Sequence, residues 1–504
     1  MRPRPATAAR FGRAGCVMVV AGCCVLALSS PGAQAEDLHQ TVRELVDNYA
    51  GRLAELADWC DEQGLAEEAE KTRSWLRRRS PDKLYVMVFP RAIGGLPPPA
   101  DAPAAVTEWH NRLVRLKQDQ ADALFVLSRR AMMTHRASLA IDLLLAALRE
   151  NPDHEPIRRI TGYQKYRGNW CTRFEVDRLR DGQVRHEEFG WLPRTHVKRY
   201  EEGQRYHRGR WITAEADARL HGHINSGWQV ETEHYTIQTN HSLEAGVDLG
   251  RQLEPLYRVW KQLFIRFYAT EEQVSALFAG PKRRGAPIQL RRRHSVVHFR
   301  DREDYNRSLL PVIPTIETSV GLYLPNPGRA YFFAGEDYQR RNMHHEATHQ
   351  LFHESRPVSP KAGLEHSFWI IEGIATYMES LREEEGYYVL GGFDDVRMQD
   401  ARSRLLDDEF YVPLSELTTY SMEKLQSDKR IRTLYSQIAG LTHFLIHYDS
   451  GRHRDALVAY LLAVYSGRAN PNTLAELTGT PYRELDRQYR EFMEKGPEGT
   501  AGGE

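Results

Sequence analysis

Apolar positions repeat with helical spacing over residues 37–80, where Leu45, Leu53, Leu56 and Trp59 fall on one side and charged residues on the other. That pattern predicts two amphipathic helices, the second ending near Arg79. A strand-like run, Lys83 to Phe89, precedes the Pro-rich stretch Pro90 to Pro103, and helical spacing returns over 105–160. Then the pattern changes. Tyr166-Arg167-Gly168-Asn169-Trp170-Cys171-Thr172 recurs as Tyr206-His207-Arg208-Gly209-Arg210-Trp211-Ile212-Thr213, which predicts two small β-hairpins with Gly at the turn. Further strands are expected in Trp228 to Thr239, Pro287 to Arg291, Ser295 to Phe299 and the hairpin Gly321 to Phe333, which turns at Pro325-Asn326-Pro327-Gly328. A long amphipathic helix is expected from Leu243 to Tyr268. Met343, Ala347 and Leu351 then recur every four residues behind a capping Asp337, and Ile370, Ile371, Ile374, Met378 and Leu381 mark a second helix. After Glu379 the spacing is mostly helical to Lys495.

These elements predict an α+β chain in segments: a helical region over 36–160, two Gly/Trp hairpin modules over 161–226, a mixed strand and helix domain over 227–495, and a polar tail, 496–504, expected to be disordered. With 41% hydrophobic residues in 504, more than one core is expected. Ala121 to Glu155 resembles a single tetratricopeptide-type helix pair. One such unit cannot bury both its faces, so it is expected to pack against the rest of the chain or to meet a protein partner.

Residues 1–35 have the form of an export signal. Arg2, Arg4, Arg10 and Arg13 precede an apolar run, and Ala33-Gln34-Ala35 fits a cleavage site. The expected location is therefore periplasmic or extracellular, with lipid anchoring at Cys23 as the alternative, and no stable membrane span is expected. Three of the five cysteines lie in this signal, leaving Cys60 and Cys171 as one disulfide or two buried thiols. Net charge is zero and the basic residues are dispersed, which gives no electrostatic case for nucleic-acid binding. Trp170 and Trp211 suggest a carbohydrate or cell-wall contact as a secondary expectation.

The chemistry concentrates in His345-Glu346-x-x-His349. Two histidines four apart on a helix share a face, so both imidazoles can reach one metal ion, while Glu346, about 100° round the helix, stays close enough to handle a proton. A third ligand is expected on the downstream helix, where Glu372 lies off the apolar stripe and Gly373 suggests close approach to another backbone, such as that of the metal-binding helix. Pro357, Pro360 and Gly363 let the linker turn the chain between the two. Glu365 and His366 are rival ligands. His353 lies about 12 Å along the axis from His345, too far to share an ion, and His344 points off the ligand face, toward a supporting or surface role.

Together, His345-Glu346-x-x-His349 and Trp369-x-x-Glu372-Gly373-x-Ala375-x-Tyr377-x-Glu379 resemble the gluzincin zinc peptidases, and most of the mature chain resembles a family of exported bacterial proteins with a peptidase MA-like domain. The resemblance implies a zincin-like catalytic domain, one Zn2+ held by His345, His349 and Glu372, and Glu346 as the base that activates water for hydrolysis of a peptide or protein substrate. Tyr435 is similar in placement to a gluzincin tyrosine that stabilises the oxyanion, with His443 as the runner-up. The chain lacks the Gly-x-Met-x-Asn segment by which related aminopeptidases hold a free amino terminus. Endopeptidase action is thus expected, the alternative being an inactive zinc-binding or TPR-like interaction protein of the cell envelope.

Overall fold

The computed structural model describes residues 31–75, 80–94, 101–279, 288, 290, 293–335 and 339–496. Most of the expected export signal, including Cys23, lies outside these residues, as do Asp337, the tail beyond Gly496 and much of the Pro-rich stretch. The fold is α+β. Helices Pro31–Glu62 and Ala66–Ser74 lead to an antiparallel pair, Ala104–Met133 and Ala137–Glu150. Leu124, Leu127, Ala131, Ala140, Leu144 and Leu148 form the apolar seam of that pair. Cys60 and Cys171 are both buried and free, so they are two thiols and not a disulfide. No described helix is long and apolar enough to cross a membrane.

The linking segment holds three hairpins where the sequence repeat suggested two. Strands β2 (Tyr163–Tyr166) and β3 (Asn169–Thr172), β4 (Gln183–His186) and β5 (Gly190–Pro193), and β6 (Gln204–His207) and β7 (Arg210–Thr213) form separate two-stranded sheets. Each begins after a glycine with positive φ, at Gly162, Gly182 and Gly203. The middle hairpin escapes the repeat because Glu187, Glu188 and Phe189 lengthen its turn, although Trp191 takes the place of Trp170 and Trp211 on the second strand. The proposed Trp170 contact with carbohydrate is not available. Its ring is 1% exposed, and its indole N–H donates to Asp153 Oδ1 at 2.7 Å. Trp211 is half-buried, with Arg199 over its ring at 4.6 Å.

A five-stranded sheet follows, in the order β11-β12-β10-β9-β8. Its strands are β8 (Trp228–Glu231), β9 (Tyr235–Thr239), β10 (His294–Phe299), β11 (Leu322–Leu324) and β12 (Arg329–Phe333). β10 is parallel to both its neighbours, while β8 and β11 are antiparallel edges. Alternation explains β9: Tyr235, Ile237 and Thr239 are buried, and Thr236 and Gln238 less so. The helix Leu243–Leu263 packs on this sheet through a glycine, since a Cβ on Gly250 would lie 3.2 Å from Ile237 Cδ1 on β9. Of the strand expected at 287–291, only Ile288 and Leu290 are described, and neither is in a strand.

Segments that the sequence sets apart are joined by a strand pairing, an ion pair and shared core residues. β1 (Lys83–Met87) pairs with β14 (Tyr387–Gly391), which pairs in turn with β13 (Arg382–Glu384). The chain after Glu379, expected to be mostly helical, therefore also contains two strands. Buried Arg454 is ion-paired with Asp142 of the N-terminal helix pair, and one continuous apolar core includes Leu144, Leu148, Trp369 and Leu457.

Candidate metal centre

The HExxH segment lies in the helix Arg340–Glu354, whose N-cap is Gln339. Met343, Ala347 and Leu351 are buried as their spacing predicts. Phe352 seats the far end of the helix against Trp260, Phe264, Phe267 and Tyr465. This anchoring leaves His345 and His349 on the opposite, partly open side, with their Nε2 atoms 3.1 Å apart. His344 is 3% exposed and thus not a surface residue; burial holds its imidazole down at about 3.

The helix Phe368–Met378 follows a left-handed Ser367 and supplies Glu372. Glu372 Oε2 lies 3.5 Å from His345 Nε2, and Oε1 lies 3.7 Å from His349 Nε2. Gly373 does permit close helix packing, but not with the HExxH helix. A Cβ there would meet Thr442 Oγ1 and lie 2.9 Å from Ile438 Cγ2, both on the helix Ile431–Gly451. The rival ligands stay outside the cluster. Glu365 is paired with Lys361, His366 is hydrogen-bonded to Ser367, and the ring of His353 sits 5.7 Å from that of Tyr323.

Around these three residues is a shell that the sequence did not reveal. Glu379 Oε1 takes a hydrogen bond from His345 Nδ1 at 3.0 Å, and Arg397 Nε donates to Glu379 Oε2 at 3.0 Å. Arg341 lies 3.5 Å from the same carboxylate and donates to Asp395 at 2.7 Å. The available signal was the spacing of Glu372 and Glu379, two turns apart on one helix face, because two buried anions on one stripe demand cations. Tyr435 donates to Glu372 Oε2 at 3.0 Å, so it does reach the site. His443 does not. It stacks on His447 on the same helix, two turns beyond Tyr435, and beside Phe393.

Glu346 occupies the remaining side. Its Oε2 accepts the amide N–H of Tyr323, on edge strand β11, at 2.9 Å. Loss of hydration, with Glu372 close by, pushes Glu346 up to about 7 against the opposing pull of His345. Burial disfavours charge on Glu372 and His345 as well, but their mutual attraction and hydrogen bonds prevail, holding Glu372 at about 2 and raising His345 to about 10.

The donor set fits a cation. His345 is oriented through Nδ1, which turns Nε2 toward His349 and Glu372, and the three donors lie within 4.8 Å of one another. The separations of 3.1, 3.5 and 3.7 Å bracket the edge of about 3.3–3.4 Å for a tetrahedron of ligands about 2.0–2.1 Å from zinc. Among the described residues, no Lys or Arg pairs with Glu372 or Glu346. Glu372 faces the two imidazoles and the Tyr435 hydroxyl, a donor set that a divalent ion would suit.

A family described as "Protein of unknown function (DUF1570)" matches residues 341–468, a span that includes the three donors, Glu346, Glu379 and Tyr435. No curated protein matches the chain.

Proposed function

We propose that the chain is an exported zinc peptidase of gluzincin type that cuts internal peptide bonds. The observation that carries this proposal is the convergence of His345, His349 and Glu372 next to a carboxylate, Glu346, that is not itself a donor but lies on the same helix as the histidines and is hydrogen-bonded to Tyr323 of edge strand β11. A mixed sheet with antiparallel edge β11 beside an HExxH helix supports a zincin-like plan.

His345, His349 and Glu372 would hold the ion, and Glu379 would keep His345 in the tautomer that presents Nε2. Bound zinc would supply Lewis acidity toward the scissile carbonyl and toward water. Glu346 takes a proton at its carboxylate from the attacking water and returns it to the leaving amine as the C–N bond breaks. Backbone groups of β11 can hold an extended peptide by strand pairing, the contact Tyr323 N–H now makes with Glu346. Tyr435, already directed at Glu372, can donate to the carbonyl oxygen as negative charge develops there.

The test is Glu346→Gln, measured as zinc content and cleavage of an end-blocked peptide pool. Zinc at the HExxH centre should remain at the wild-type level while hydrolysis falls roughly 10²-fold or more. Chelation should abolish wild-type cleavage and zinc should restore it. Absence of cleavage by zinc-loaded wild type would leave a non-catalytic metal protein, and strict need for a free amino group would refute internal cutting.

A further inference from the structure

We infer a second divalent-metal site, on the third hairpin module, formed by His207, Asp217 and His221. It is independent of the function proposed for the HExxH centre. Asp217 and His221 are four apart, on and just after the short helix Ala214–Leu220, and His207 ends β6 beside them. The potential donor atoms of the three residues lie within 4.8 Å of one another. Each of the two helix-borne donors is held by a partner behind it. His221 Nδ1 lies 2.5 Å from the Ser226 carbonyl, which can only accept, so the proton is on Nδ1 and Nε2 is turned inward. Asp217 is 6% exposed; its Oδ2 accepts the Trp228 indole N–H at 2.7 Å, leaving Oδ1 to face His221 Nε2 at 3.4 Å.

An acceptor nitrogen facing a carboxylate oxygen needs a cation between them. A proton on Nε2 could fill that role by making an ordinary ion pair, but it would leave His207 without a part. The His207 side chain makes no hydrogen bond among the described residues, yet its ring lies 6.0 Å from that of His221. Two imidazoles and one carboxylate suit zinc or a neighbouring transition-metal ion better than calcium or magnesium, which prefer oxygen donors. The comparable group Glu233, His234 and Glu254 is different. There Glu254 accepts from both the amide and Nδ1 of His234 at 2.8 Å, a pair that is already satisfied. An ion held by His207, Asp217 and His221 would clamp the last hairpin and its helix to the turn at Ser226 and to Trp228 at the start of β8, and so fix the module to the edge of the large sheet.

The experiment counts zinc in the full mature chain after stripping with chelator, zinc loading and dialysis. Wild type should hold two ions, His207→Gln and His221→Gln one each, and His345→Ala/His349→Ala one. In that last background zinc should raise the Tm, and His207→Gln should remove both the ion and the increase. Zinc content that His207→Gln leaves unchanged in wild type overturns the inference, and so does zinc retained undiminished when His207→Gln is added to the double variant. A wild type holding a single ion that His207→Gln abolishes would uphold this site and refute the HExxH centre instead.

Discussion

Glu379, two turns beyond Glu372 on the same helix, accepts a hydrogen bond from His345 Nδ1 at 3.0 Å and is itself held by Arg397 and Arg341. A carboxylate behind a metal-binding histidine sets its tautomer and raises its basicity. Glu379→Ala should therefore weaken zinc affinity about 10–100-fold with the donor residues intact, as read by competition with a chelator. Unchanged affinity would remove Glu379 from the site.

Tyr435→Phe separates two roles for the hydroxyl that now donates to Glu372. We expect zinc to stay bound and kcat to fall about 10²-fold, the effect of losing a donor to the reacting oxygen. Zinc loss, with kcat recovered at saturating zinc, would show that Tyr435 only orients Glu372.

His443 is 1% exposed, and burial holds it down at about 4 from an ordinary 6.5. The unfolded chain binds this proton more readily than the folded one, so stability is complete above pH 6.5 and declines as pH falls toward 4. The slope from this one group cannot exceed about 1.4 kcal/mol per pH unit. Urea unfolding between pH 7 and pH 4.5 should show the decline in wild type and a shallower one in His443→Gln. Parallel curves would exclude His443 as a source.

Gly373→Ala should destabilise the protein by about 1–3 kcal/mol through overpacking against Ile438 and Thr442. Adding Thr442→Ala removes one obstructing atom and should recover part of that loss, measured as a shift in the unfolding midpoint. Loss of zinc without loss of stability would instead place Gly373 at the HExxH helix.

Expression of 227–495 alone should yield a chain without a cooperative unfolding transition. That fragment lacks β1, the partner of β14, and Asp142, the partner of buried Arg454. A sharp transition with full zinc binding would show that the remaining core suffices.

Local spacing determined a large part of the candidate centre. The fourfold repeat of Met343, Ala347 and Leu351 and the His345 to His349 interval are consequences of helix geometry, which neighbouring residues establish among themselves. The hairpin at 321–333 and the long helix from Leu243 were legible for the same reason. Tertiary structure decided what depends on distant segments. Glu372, and not Glu365 or His366, joined the histidines because the turn at Ser367 orients the second helix, and a loop's path carries no periodic signature. The pairing of β1 with β14, the approach of Gly373 to Ile431–Gly451 and the Arg397 and Arg341 bonds to Glu379 unite residues remote in sequence. Burial selects those partners only once the whole core is assembled, because the cost of an unpaired charge or an unpaired strand appears only when water has been excluded.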